Sequence, residues 1–196
     1  MKTQLTRSLG LFAAVAATVL SVSGPTAAAP GTDTADAVSL SEFIDQREAA
    51  SAPMSALAVC EPNVYLTSRA NDRIVAAETN YTGYDEGLLR ARSTSVGSME
   101  RFTLCDHGGY YTLRSQGNSR YVTTELNYSG ANEGLLRARG TSIGEWERYS
   151  ISCPSYCTIK SQANNRYVSV ELNYDGHDHA MLRARSTSVG TWETFR

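Results

Sequence analysis

Glu78, Glu125 and Glu171 recur in this sequence at intervals of 47 and 46 residues. Two residues beyond each stands a polar run with a tyrosine: Asn80-Tyr81-Thr82-Gly83, Asn127-Tyr128-Ser129-Gly130 and Asn173-Tyr174-Asp175-Gly176. An aromatic face beside an amide and a carboxylate can stack on a pyranose ring and hydrogen-bond its hydroxyls. These nine residues are the candidate ligand-binding set, and a polysaccharide or cell-surface glycan is the partner they fit. Three weak sites would gain from a polymer presenting many ligands, through effective concentration. The same residues admit a structural reading, in which Asn and Gly make a turn and Tyr covers a hairpin. Each glutamate would then pair with an arginine of its own unit, for example Glu125 with Arg137 or Arg139.

Other chemistry is thinly represented. His177-Asp178-His179 could touch a metal only if its loop folded for that purpose, so it reads as surface loop. Gly140-Thr141-Ser142-Ile143-Gly144 spells G-x-S-x-G, but a strand is expected after it where a nucleophile elbow needs a helix. A glycosidase needs two carboxylates within about 5–9.5 Å on one substrate, and symmetry would hold the three glutamates apart. No catalytic residue, metal site or cofactor is expected, and the chain reads as a non-enzymatic protein.

The positioning elements follow from repetition. Val64 to Phe102, Tyr111 to Tyr149 and Cys157 to Phe195 are three copies of one unit. Each copy reads as four short strands, because apolar and polar residues alternate in short runs with Gly, Asn, Asp or Ser between them. In the second copy these are residues 111–115, 120–125, 135–139 and 145–151. Three such units suit an all-β fold, a β-trefoil with pseudo-threefold symmetry; a propeller would have too few blades. Alternation points twelve residues inward: Leu66, Leu113, Ile159; Val75, Val122, Val168; Leu89, Leu136, Leu182; Phe102, Tyr149, Phe195. Met99, Trp146 and Trp192 share a further position, and Met in the first copy favours core packing there over sugar stacking. The third copy stops at Arg196, so its closing strand is expected to fray.

Lys2 and Arg7 precede an apolar run from Leu9 to Val22 and a small-residue end near Ala28 and Ala29. Residues 1–29 therefore read as a secretory signal peptide, too short in its apolar part to span a bilayer. Residues 30–59 are acidic and rich in Ala, Ser and Thr, and read as a linker or propeptide. One short helix is expected inside it, because Ser39 and Glu42 form a capping-box pattern and Leu40, Phe43 and Ile44 could share a face. Residues 60–196 form the trefoil domain.

In an exported chain the four cysteines should pair. Three connectivities exist, and the trefoil strand order selects Cys60 with Cys105, which leaves Cys153 with Cys157. Residues 60–196 hold 15 basic and 15 acidic residues, and among those bases only Lys160 is a lysine. This neutral balance offers no footprint for nucleic acid, and the abundance of planar guanidinium groups favours fixed hydrogen bonds over mobile charge.

Arg120-Tyr121-Val122 leading to Glu125, Arg166-Tyr167-Val168 leading to Glu171, and the closing runs Trp146-Glu147-Arg148-Tyr149 and Trp192-Glu193-Thr194-Phe195 resemble the fascin-like branch of β-trefoils. The resemblance covers residues 64–196, with Ile74 and Met99 as departures in the first copy. It implies the fold, whereas actin bundling uses several trefoils together and does not carry over to a single one. The Q-x-W signature of ricin-type trefoil lectins is absent. The expected function is a secreted carbohydrate-binding module with three equivalent loop sites. The alternative is a secreted protein-binding module such as a proteinase inhibitor, resting on the departures at 84–86 and 177–179; a cytoskeleton-directed effector follows only from the family name.

Overall fold

The computed structural model describes residues 36–50 and 58–196. The expected signal peptide, and residues 30–35 and 51–57 of the expected linker, lie outside the described residues.

A two-residue strand, β1 (Val38–Ser39), leads into α1 (Leu40–Ala49). Ser39 Oγ accepts from the Glu42 amide and the Glu42 carboxylate accepts from the Ser39 amide, so the capping box read in the sequence starts the helix. Leu40, Phe43 and Ile44 are buried in the main apolar core. β1 pairs in parallel with β2 (Val59–Tyr65), through Val38 with Val64, and Arg47 bonds Asp106 at 3.3 Å. Residues 38–49 of the expected linker or propeptide are thus packed against the β-domain. Three apolar side chains on one helical face, with strand pairing at the cap, offset the ordering cost.

The first repeat continues with β3 (Ile74–Glu78), β4 (Leu88–Ser93) and β5 (Phe102–Asp106). The second contains β6 (Tyr111–Ser115), β7 (Tyr121–Glu125), β8 (Leu135–Gly140) and β9 (Tyr149–Ser152). The third contains β10 (Thr158–Ser161), β11 (Arg166–Glu171) and β12 (Met181–Ser186). Together they make one barrel-like sheet. In every repeat the second and third strands form an antiparallel hairpin, and each hairpin has a register shift at the same place: Ile74/Val75, Tyr121/Val122 and Tyr167/Val168. The hairpins meet in a cycle through Leu88 with Arg137, Leu135 with Arg183, and Met181 with Arg90.

The remaining strands run β2, β5, β6, β9, β10 in antiparallel contact, and the C-terminus closes the ring. Phe195 exchanges both backbone hydrogen bonds with Cys157, and Arg196 does so with Thr67. The expected fraying does not occur, because these residues complete the ring between the first and third repeats and Phe195 is fully buried.

All twelve inward positions are buried. Met99, Trp146 and Trp192 are not: each is only partly buried, and the glutamate that follows it, Glu100, Glu147 or Glu193, is buried in its place. The expected strand over 145–151 begins only at Tyr149, after a single 3-10 turn at Glu145–Glu147, with a matching turn at Thr191–Glu193. Three residues per turn break the alternation and reverse which side chain faces inward. The cysteines pair as expected, Cys60 with Cys105 and Cys153 with Cys157. The first pair joins directly opposed residues of β2 and β5 and closes the longer loop, a contribution of about 4 kcal/mol on the chain-entropy view.

Candidate functional site

The Asn-Tyr-x-Gly runs leave β3, β7 and β11 and enter single 3-10 turns at Gly83–Asp85, Gly130–Asn132 and Gly176–Asp178. Asn80, Asn127 and Asn173 are exposed, and Tyr81, Tyr128 and Tyr174 are partly buried. The loops touch one another. Tyr84 of the first repeat packs edge to face on Tyr128 of the second, with ring centroids 5.5 Å apart, and His177 of the third packs likewise on Tyr81 of the first. The corresponding residue of the second repeat is Ala131, so Tyr174 receives no such ring and instead lies against Leu88, Leu135 and Met181.

An arginine from the following repeat latches each loop. Arg137 donates to the Gly83 and Glu86 carbonyls, Arg183 to those of Gly130 and Glu133, and Arg90 to those of Gly176 and His179, at 2.8–3.2 Å. All three arginines are buried. Their planar donor forks match paired carbonyls, which a lysine could not reproduce. Arg183 also donates to the Tyr174 hydroxyl at 3.2 Å. Burial raises the Tyr84 phenol above its ordinary pKa, and Arg137 pulls the other way.

Behind the loops, Glu78, Glu125 and Glu171 are at most 1% exposed, and each holds an arginine of its own repeat: Arg92, Arg139 and Arg185. Glu125 therefore takes Arg139, while Arg137 serves the neighbouring loop. Burial raises the Glu125 pKa above the ordinary glutamate value, with Arg139 and then Arg137 pulling it down. The hydrogen bond to the glutamate raises the pKa of Arg92 and of Arg185. The glutamates thus orient guanidinium groups that are close to half exposed, and the arginines, not the carboxylates, present the polar surface.

Open clefts lie beside these arginines. One of about 450 Å³ is lined by Glu133, Asn164, Arg166, Arg183 and Arg185, and its counterpart of about 290 Å³ by Glu86, Asn118, Arg120, Arg137 and Arg139. A second pair lies against the closing turns: one of about 240 Å³ with Ser169, Arg185, Trp192 and Glu193, and one of about 300 Å³ with Ala76, Arg92, Met99 and Glu100. Sequence reasoning singled out the loop residues but missed the arginine triplets. The signal was available as the repeated Arg-x-Arg of Arg90-Ala91-Arg92, Arg137-Ala138-Arg139 and Arg183-Ala184-Arg185. On a strand, residues i and i+2 share a face; the first of each pair latches the neighbouring loop and the second pairs with the glutamate.

No family model and no curated protein sequence matches the chain. Among solved structures it is similar to the designed threefold-symmetric protein ThreeFoil, with TM-score 0.57 and 21% identity over 67% of this chain and 94% of that one. It is similar to the Macrolepiota procera ricin B-like lectin in complex with lactose, with TM-score 0.52 and 16% identity over 74% and 96%. It also resembles part of the exo-beta-1,3-galactanase 1,3Gal43A from Clostridium thermocellum, with TM-score 0.55 and 13% identity over 67% of this chain and 29% of that enzyme. The chain is an all-β protein with trefoil-like and ricin B-like structural neighbours.

Proposed function

We propose that the protein is a β-trefoil of three four-stranded repeats, akin to the fascin-like branch, that acts as a secreted, non-enzymatic carbohydrate-binding module. The observation that carries this reading is the threefold recurrence of one latched loop: an exposed asparagine and a partly exposed tyrosine, held by a buried arginine from the following repeat. A repeated, pre-organised polar surface suits a repeating polymer, because rigid loops lose little entropy on binding and several weak contacts act together. The lectin and galactanase neighbours support carbohydrate as the partner class at the level of fold. Two disulfides support an oxidising, extracellular setting, and no helix among the described residues is long and apolar enough to cross a membrane. The binding role is also supported by the glutamates: each is committed to an arginine of its own repeat, an arrangement that offers no acid and nucleophile facing one substrate.

The alternative, a protein-binding loop in one repeat, needs the departures at 84–86 and 177–179 to stand free. Tyr84 and His177 are exposed, but each also packs edge to face across a repeat junction, which ties these departures into the repeated loop surface and favours the repetitive ligand. Retention on insoluble polysaccharides, measured for the wild type and for stepwise Tyr81, Tyr128 and Tyr174 to Ala variants, tests the reading. Stepwise loss of retention is expected. Retention unchanged in the triple variant moves the site away from the tyrosines, and capture of a secreted proteinase with no glycan binding overturns the reading.

A further inference from the structure

We infer that the groove along the third repeat takes an anionic pyranose, a uronate- or sulfate-bearing oligosaccharide; this rests on the carbohydrate-binding reading and names its substrate class. Arg185 is a wall common to the clefts of about 450 and 240 Å³, so the two adjoin along one repeat and together fall within the usual range for a small-molecule site. The formal charges of the two clefts balance, Arg166, Arg183 and Arg185 against Glu133, Glu171 and Glu193, but they are unevenly partnered along the groove. Arg183 is 5% exposed and its bonds go to carbonyl oxygens and a phenol, not to carboxylates. Arg166 is exposed and forms no ion pair among the described residues, and only Arg185 is matched, by Glu171. Glu133 on the rim and Glu193 beside Trp192 offset the other two charges, which leaves the exposed Arg166 fork as the group best placed to take an anion.

A guanidinium fork binds a carboxylate or sulfate through two parallel hydrogen bonds. At the other end Trp192 is partly exposed beside Ser169 and Arg185, and an indole face stacks on a pyranose. An acidic sugar would place its anionic group against Arg166 and Arg185 while a neighbouring ring lies on Trp192.

The repeats differ in a way that ranks them. The second has Arg120, Arg137 and Arg139 with Trp146, but its cleft is smaller, about 290 Å³. The first keeps Arg92 in a cleft of about 300 Å³ but has Met99 where the others have tryptophan. Ala131, at the position of Tyr84 and His177, leaves the junction of the second and third repeats without a bulky side chain, and the larger arginine cleft lies at that junction. The third repeat is therefore the strongest site and the first the weakest.

Titration calorimetry of the full chain against matched oligomers tests this: oligogalacturonate, sulfated dextran, neutral galactan, cello-oligosaccharide and a single-stranded oligonucleotide of equal charge. The expected result is binding of the uronate or the sulfated oligomer, weakened by salt, with the two arms identifying which anion is preferred. Arg166→Ala should weaken it about tenfold, and Arg166→Lys by less, since charge is kept and the fork is lost. Arg166 is exposed and forms no ion pair among the described residues, so these variants fold as the wild type does. Trp192→Ala should also weaken binding, and Met99→Trp should strengthen it by adding a stacking face to the first repeat. Binding of the neutral oligomers alone overturns this inference and leaves the carbohydrate reading standing. Binding of none overturns both. Equal binding of the oligonucleotide, or no response to Arg166→Ala and Met99→Trp, overturns the groove as an anionic-sugar site.

Discussion

Arg139 closes on Glu125 with opposite degrees of exposure: the carboxylate is fully buried and the guanidinium is 45% exposed. Burial outweighs the two neighbouring arginines and raises the Glu125 pKa, so the folded chain holds this proton more tightly than the unfolded chain does. The carboxyl favours folding below the ordinary glutamate range, and that contribution is lost as the pH rises through the raised folded value. Glu125→Gln, permanently neutral, should gain stability relative to the wild type as the pH climbs from about 4 to 7. Urea midpoints of both proteins across that range check this; a wild type that gains on Glu125→Gln as the pH rises would show that the arginines overcompensate burial. Arg139→Ala should cost about 2 kcal/mol at neutral pH, below the full penalty for breaking a buried pair because water can replace a half-exposed partner.

Ala180 stands where the other repeats have Gly87 and Gly134, and all three adopt positive φ, 60°, 72° and 74°. In each case the carbonyl accepts from an alanine amide of the following repeat, at 2.6 Å for Gly87, 2.7 Å for Gly134 and 2.9 Å for Ala180. A Cβ added to Gly134 would lie 2.6 Å from the Ala184 carbonyl oxygen, so the longer bond at Ala180 is where the extra methyl is accommodated. Gly134→Ala should cost about 2–3 kcal/mol in thermal or urea unfolding, from left-handed strain plus the clash. Ala180→Gly should be neutral to about 1 kcal/mol stabilising, because relief of strain is partly offset by the entropy glycine gives up on folding.

The buried glutamates of the closing turns differ in the same repeat-by-repeat way. Thr123 Oγ1 donates to Glu147, and Ser169 Oγ to Glu193, while each carboxylate also accepts from the glycine amide three residues earlier, as Glu100 does from Gly97. Ala76 occupies the equivalent position opposite Glu100 in the first repeat and has no hydroxyl to give. Thr123→Val should destabilise by about 1–2 kcal/mol by leaving a nearly buried carboxylate oxygen short of a donor. Ala76→Ser should stabilise by about 1 kcal/mol in the same assay, and no gain would mean that water already serves Glu100.

These turns also explain what the sequence could and could not convey. A period of two placed all twelve core residues, because nearly all lie in strands, such as Leu136 in β8 and Leu113 in β6, while Leu66 and Phe195 stand just beyond strand ends in extended backbone held by bridges. It failed at Trp146 and Trp192, where a 3-10 turn changes the period, and at Met99, where a tight turn closed from the Glu100 amide to the Gly97 carbonyl does the same; the Gly-x-x-Glu spacing of Gly97, Gly144 and Gly190 was the local sign of these turns. Asn80, Tyr81 and their counterparts were legible as loop residues. The latch of Arg183 on Gly130 was not, since it depends on how one repeat docks on the next, and no periodicity within a repeat carries that information.

Helix α1 supplies the remaining test, because Leu40, Phe43 and Ile44 join a core otherwise built from the repeats. The helix is short, and an isolated helix of this length is marginal in water, so its order depends on that docking, on the Ser39 cap and on the ion pair from Arg47 to Asp106. Phe43→Ala should cost about 3–4 kcal/mol and Ser39→Ala about 1 kcal/mol, both read from urea midpoints. Hydrogen exchange separates the links: in Phe43→Ala the amides of α1 should lose protection while those of the hairpin strands, β7 and β8 among them, keep theirs. Loss of protection throughout the sheet would mean that the repeats cannot hold their core without this segment. An unchanged exchange pattern in α1 would mean that Phe43 contributes nothing to its docking.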